Sequence, residues 1–83
     1  MQVKNIVFSQ QARADVRHLD PQIAKRIFAA LHRFARMGAG DIKRLQGESK
    51  EFRLRVGQYR VRLAEEVDSY QILRVLHRKD AYR

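Results

Sequence analysis

The sequence has no cysteine and no tryptophan, and its one proline is Pro21. Without cysteine, the chain has no disulfide framework, no thiol nucleophile and no zinc–thiolate site. No stretch approaches the roughly 18 consecutive apolar residues of a membrane-spanning helix, and residues 1–10 lack the basic-then-apolar layout of a signal peptide. We therefore expect a cytoplasmic protein with no membrane partner.

Acidic residues are also scarce, because 18 Lys+Arg against 9 Asp+Glu leave a net charge of +9 on 83 residues. So large a charge on so small a body gives a positive potential over most of the surface. Arginine outnumbers lysine 13 to 5, and its guanidinium group binds phosphate through two hydrogen bonds at once. Basic surfaces also aid solubility or match an acidic protein, but this one favours nucleic acid as the partner.

The length allows one core, so we expect a single domain over residues 1–83. A β-branched run predicts a strand over residues 3–8, and Ser9 follows it as a helix N-cap. Apolar spacing predicts a first helix over residues 10–18. Asp20 and Pro21 start a second helix, which Gly38 and Gly40 end, so the two helices form a hairpin.

The second half of the sequence changes its apolar period from 3.6 to 2, which indicates a change from helix to sheet. Residues 41–45 suit a short segment and residues 47–50 a loop. Strands are predicted over residues 52–56, 59–63 and 70–76, in the order of an antiparallel meander. The fold class is thus α+β, with the helices packed on one face of the sheet.

Basic and apolar residues alternate on both sides of Gly57 and Gln58, which is typical of a β-hairpin. A two-residue turn with glycine first suits type II′ geometry and predicts four cross-strand pairs: Val56 with Tyr59, Arg55 with Arg60, Leu54 with Val61, and Arg53 with Arg62. The apolar side chains then share the core face, while four arginines gather on the opposite face, here called the arginine face: Arg53, Arg55, Arg60 and Arg62.

Like charges placed opposite one another destabilise an antiparallel pair by up to about 1 kcal/mol. Alternating charges are ordinary on a solvated strand face, but ordinary faces mix signs, and we expect no acidic residue on this one. The arginine face is therefore interpreted as a phosphate-binding surface. The segment after the last strand adds His77, Arg78, Lys79, Tyr82 and Arg83, and its strand neighbours residues 59–63 in meander order.

Together these residues resemble the RelE/ParE superfamily of bacterial toxins from type II toxin–antitoxin systems. The likeness covers nearly the whole chain. It depends on the order of elements, on Leu45-Gln46-Gly47, on the run FRLRVGQYRV at residues 52–61 and on the run VLHRKDAY at residues 75–82. The resemblance implies a toxin that binds a cognate antitoxin in a hetero-oligomer and uses no cofactor.

Within that superfamily, the RelE branch implies a metal-independent endoribonuclease that cuts messenger RNA in the ribosomal A site. The family's functional positions correspond to Arg53, Arg55, Arg60, Arg78 and Tyr82. The ParE branch acts on DNA gyrase and commonly lacks this full set, so the residues favour RNA cleavage. A gyrase inhibitor and a non-catalytic basic RNA-binding module remain the alternatives.

Cleavage without metal needs a base for the 2′-hydroxyl, stabilisation of the anionic phosphate and an acid for the departing 5′-oxygen. Arg53, Arg55 and Arg60 suit the second role, because they can bind the phosphate and stabilise its charge. A cationic cluster favours the phenolate form of Tyr82, the candidate base, with Arg78 as acid and His77 as a substitute for either. Tyr82 also suits base stacking. The RNA-binding candidates are Arg53, Arg55, Arg60, Arg62, Lys79 and Arg83.

Overall fold

The computed structural model of the chain describes residues 4–45 and 50–81. The predicted α+β class is confirmed. The elements, in chain order, are β1 (Asn5–Phe8), α1 (Gln10–Arg17), α2 (Pro21–Met37), β2 (Asp41–Arg44), β3 (Glu51–Val56), β4 (Tyr59–Glu65), β5 (Ser69–His77) and α3 (Arg78–Ala81). The short segment at residues 41–45 is therefore a strand, and α3 was not predicted. Val3 and residues 47–49 of the predicted loop lie outside the described residues.

The strands form one mixed sheet in the order β1-β5-β4-β3-β2. From β2 to β5 each strand is antiparallel to the next, which confirms the predicted meander. β1 adds a parallel edge strand, with Asn5 opposite Ser69. The sequence pattern did not predict this pairing, because a period of 2 identifies a strand and says nothing about its neighbour.

The helices begin and end where their capping residues predict. The Ser9 hydroxyl accepts a hydrogen bond from the backbone N–H of Ala12, and the Asp20 carboxylate accepts one from Gln22. α2 ends at Gly38, whose φ of 67° is the left-handed conformation that glycine adopts at low cost.

Both helices pack on one face of the sheet, α1 against β1 and β5 and α2 against β1 and β3. The residues buried between the layers are Ala12, Ile27, Leu31, Phe34, Leu54, Val61, Leu63, Ile72 and Val75. The arginine face is consequently the other side of the sheet. Among the described residues, no helix is both long enough and apolar enough to cross a membrane.

α1 continues the edge of the sheet beyond the short strand β1. The Ser9 hydroxyl donates to the backbone carbonyl of Leu73, the extra residue of a β-bulge in β5. Nearly two turns later, the Asp15 carboxylate accepts hydrogen bonds from the backbone N–H of Val75 at 2.9 Å and from Arg74 Nε at 2.8 Å. Asp15 thus joins α1 to β5 through a charged group that is largely shielded from water.

Burial alone raises the pKa of the Asp15 carboxyl, but the hydrogen bonds from Arg74 and Val75 outweigh it and leave the pKa below its ordinary value. We expect Asp15→Asn to lower the free energy of unfolding at pH 7 by about 2 kcal/mol, because charge-assisted hydrogen bonds are lost. A carboxyl with a depressed folded pKa stabilises the fold above its unfolded pKa of about 3.9 and loses that contribution as the pH falls. Urea unfolding should show the gap between the two proteins shrinking below about pH 4. A difference in unfolding free energy between wild type and Asp15→Asn that is equal at pH 7 and below about pH 4 would contradict this role for Asp15.

Candidate nucleic-acid interface

The hairpin that carries the arginine face has the predicted register. Arg53 lies opposite Arg62 and Arg55 opposite Arg60, while Leu54 and Val61 pair on the buried face. Gly57, the first residue of the turn, has a φ of 57°. Gln58, the second, has no positive φ, because the described residues with a positive φ are all glycines. A type II′ turn requires a positive φ at its first central residue only. Four arginines are thus held side by side on two adjoining strands.

The expectation that this face has no acidic residue is wrong. β2 lies beside β3 with Asp41 opposite Arg55, and Asp41 Oδ2 is 3.4 Å from Arg55 Nε. Glu51, at the start of β3, places Oε2 2.7 Å from Arg62 Nη2. Arg55 and Arg62 therefore have carboxylate partners on the same face, and any phosphate that binds there has to compete with those carboxylates. β2 also adds a cation, since Lys43 lies opposite Arg53.

Arg60 is fixed at the end of the sheet by the turn that precedes it. Its Nη1 donates to the backbone carbonyl oxygens of Gly57, at 3.1 Å, and of Tyr59, at 3.0 Å. These two bonds use both hydrogens of Nη1. The Nε–H and the Nη2 hydrogens remain along one edge of the guanidinium group, the arrangement that binds two oxygens of a phosphate.

The segment after β5 meets the same end of the sheet, which we call the turn end: the start of β2 at Asp41, the turn at Gly57 and Gln58, and the end of β5 at His77. The backbone N–H of Arg78 donates to the carbonyl of Gln58 at 2.7 Å, so α3 begins against the hairpin turn. Arg78 and Lys79 are exposed. The structure therefore brings Arg60, Arg78 and Lys79 to one end of the molecule.

His77 lies opposite Tyr59 in the pairing of β4 and β5, on the helix side of the sheet, with the two ring centroids 5.4 Å apart. The backbone N–H of Lys79 donates to His77 Nδ1 at 3.2 Å. In the neutral imidazole, Nδ1 is then the acceptor, and the proton resides on Nε2. Because Arg60 pairs with Leu76 instead, His77 and Arg60 leave their strands on opposite faces.

Sequence reasoning missed a further cation at the turn end. The guanidinium of Arg26, on α2, lies over the hairpin turn, where a β-carbon built on Gly57 would be 3.4 Å from Arg26 Nη2. The period of α2 marks Arg26 as a solvated residue and carries no signal for which loop it faces. Tyr82 and Arg83, the remaining candidates, lie outside the described residues, as does Gln46-Gly47 of the motif before the hairpin. Residues 4–45 and 50–81 contain no group of three His, Asp or Glu side chains that could hold a metal ion.

Comparison with known proteins agrees with the fold. The family model of the ParE toxin of type II toxin–antitoxin systems matches residues 6–82. The toxin RelE3 of Methanocaldococcus jannaschii is 30% identical to this chain, in a match that covers 93% of each protein.

Two solved structures show the same likeness. One is the RelB–RelE antitoxin–toxin complex from Methanococcus jannaschii, with 30% identity, a TM-score of 0.77 and coverage of 92% of this chain and 94% of that chain. The other is the toxin–antitoxin complex RelBE2 from Mycobacterium tuberculosis, with 28% identity, a TM-score of 0.76 and coverage of 89% and 96%.

Proposed function

This chain belongs to the RelE/ParE superfamily of toxins of type II toxin–antitoxin systems, and on that premise we propose that it is a metal-independent endoribonuclease that cleaves messenger RNA in the ribosomal A site. The observation that carries the proposal is the fixed guanidinium of Arg60 at the turn end, against which α3 begins at Arg78. A phosphate bound there meets donors that are already in place, and that is the condition under which charge stabilisation lowers a barrier most.

In the proposed reaction, the 2′-oxygen of one nucleotide attacks the adjoining phosphorus, and the bond from phosphorus to the 5′-oxygen breaks. The products are a 2′,3′-cyclic phosphate and a 5′-hydroxyl. Arg60 holds the phosphate through Nε and Nη2, and Arg53 and Arg55 neutralise the charge that develops on it. Each well-placed donor contributes on the order of 3 kcal/mol.

Two protons move in this reaction, one from the 2′-hydroxyl and one to the departing 5′-oxygen. Tyr82 is the proposed base, and Arg78 the proposed acid or the cation that stabilises the leaving oxygen. His77, which leaves its strand on the helix side of the sheet, is the proposed substitute for either group. The RNA contacts beyond the cut are assigned to Arg62, Lys79 and Arg83.

The experiment that tests the function is primer extension on messages from cells that briefly express the protein. New 5′ ends within translated codons, absent in an Arg60→Ala/Tyr82→Phe variant, support ribosome-dependent cleavage. Arrested growth with intact messages would instead favour the second candidate, inhibition of DNA gyrase. The match to the family model of the ParE toxin supports that candidate. Intact messages and normal growth would leave a non-catalytic RNA-binding module.

We further propose that the protein is cytoplasmic and that its protein partner is a cognate antitoxin, which neutralises it in a toxin–antitoxin hetero-oligomer. Two of the similar structures are complexes of a toxin with its antitoxin. The net charge of +9 supplies the physical reason, since an acidic segment of a partner would find complementary charge over most of this surface.

The carboxylates on the arginine face lead to a prediction about affinity. Asp41→Asn is expected to tighten the binding of single-stranded RNA roughly two- to fivefold, because an exposed ion pair of up to about 1 kcal/mol no longer competes for Arg55. Fluorescence anisotropy at one fixed salt concentration measures this Kd. Asp68→Asn is the matched control, an exposed aspartate with the same change of charge in the turn between β4 and β5. Equal gains in both variants would show that only net charge matters.

A further inference from the structure

A groove of about 350 Å³ opens beside the turn end, between α2 and the ends of β2 and β3. One wall is a single stripe of α2, which comprises Arg26, Ala29, Ala30 and Arg33. Arg55 of the arginine face contributes to the other wall. The alanines leave space between helix and sheet, because a larger side chain at either position would fill it.

The charges of this groove are available for a ligand. Arg26 and Arg33 are exposed, and the ion pairs among the described residues do not include either of them. Asp41 also lines the groove, but its carboxylate is paired with Arg55. The floor is apolar, formed by Leu54 and Val56. A ligand that suits such a site combines an anionic group with a flat apolar surface, which is the chemistry of a nucleotide.

The groove is also continuous with the phosphate site proposed above. Arg55 belongs both to the arginine face and to the groove. Arg26 lies over Gly57, whose carbonyl oxygen holds Arg60. A smaller adjoining cavity of about 90 Å³, lined by Arg26, Val56, Gln58 and Tyr59, continues along the hairpin turn toward the start of β4.

We infer that this groove, here called the α2 groove, binds a nucleotide of the same RNA strand that flanks the phosphate held by Arg60. Arg26 and Arg33 contact its phosphates, and the apolar floor receives its base. The inference rests on the proposed function, since it extends the same bound strand around the end of the sheet. It assigns to α2, whose exposed residues the sequence pattern marks only as solvated, a part in holding the substrate.

The test compares RNA oligomers of increasing length on the purified protein. Fluorescein-labelled oligomers of two, four and six nucleotides carry 2′-O-methyl groups, so they have no free 2′-hydroxyl and are bound without being cut. The wild-type affinity should rise with length. Arg26→Gln/Arg33→Gln should keep its affinity for the two-nucleotide RNA within about threefold of the wild-type value. The increase in affinity from two to six nucleotides should be at least about tenfold smaller in this variant than in the wild type.

The matched control is Lys25→Gln/Arg36→Gln, which also removes two positive charges from α2, but from residues that do not line the groove. Ala29→Leu is a second test, because it fills the α2 groove without a change of charge and should also reduce the gain with length. Equal losses in the two double variants would overturn the inference, since net charge alone would then explain them.

The remaining outcomes separate this inference from the proposed function. If the wild type binds longer oligomers more tightly and neither Arg26→Gln/Arg33→Gln nor Ala29→Leu changes the gain, the α2 groove is not an RNA site, although the arginine face can still be one. If those variants instead lose a co-expressed cognate antitoxin, the groove is a docking surface for protein, and the inference is again overturned. If the wild type binds no RNA at any length, the inference fails, whereas the proposed function is decided separately by primer extension on translated messages.

Discussion

Arg60→Ala is expected to lower the single-turnover rate of message cleavage by about a hundred- to a thousandfold, the usual loss when one preorganised donor to a developing anion is removed. The physical reason is that Arg60 is fixed before substrate binds. Its Nη1 is bonded to two backbone carbonyl oxygens of the turn, so little reorganisation accompanies phosphate binding. The measurement is a time course with excess protein on ribosomes programmed with a defined message and an empty A site.

Two variants show whether geometry or charge is responsible for the loss. Arg60→Lys keeps the charge and lacks the planar fork, so it should recover no more than about a tenth of the lost rate. Arg36→Ala removes an exposed arginine from the last turn of α2, outside the residues assigned to phosphate binding, and should leave the rate unchanged. A cleavage rate for Arg60→Ala within about threefold of wild type would contradict the placement of Arg60 at the reacting phosphate.

The sequence is most informative about the hairpin, and the reason is local. Gly57 is the first residue of a two-residue turn, and alternation on both sides then determines every cross-strand pair from Val56–Tyr59 to Arg53–Arg62. Helix bounds were predicted equally well where a cap defines them, at Ser9, Asp20 and Gly38. In each case, residues close together in the chain determine the geometry.

Features that depend on distant residues were missed. Asp41 reaches the arginine face because β2 pairs with β3. Glu51 is the exception, a local omission, because it precedes the predicted strand by one residue and shares the face of Arg53 at a period of 2. Arg26 reaches the hairpin turn because α2 packs across the sheet. No pattern within α2 or β2 specifies these neighbours, so the composition of the face and the presence of the α2 groove follow only from tertiary structure.

The seating of α2 on the sheet therefore decides whether Arg26 and Arg33 are where the structure places them. Ile27, next to Arg26, is 0% exposed and packs among the residues between the two layers. Ile27→Ala is expected to lower the free energy of unfolding by about 3 kcal/mol, a large share of the roughly 5 to 15 kcal/mol that stabilises a small domain. Urea unfolding at pH 7 measures it.

Met37→Ala is the control for that substitution, because Met37 lies on the same helix with 71% of its surface exposed and should change stability by less than about 0.5 kcal/mol. A loss below about 1 kcal/mol in Ile27→Ala would show that α2 is not held as described, and the α2 groove would lose its basis. The loss of stability in Ile27→Ala and the loss of cleavage in Arg60→Ala can be measured separately. Ile27→Ala should lose stability while its folded fraction cleaves at the wild-type rate, whereas Arg60→Ala should keep most of its stability and lose cleavage.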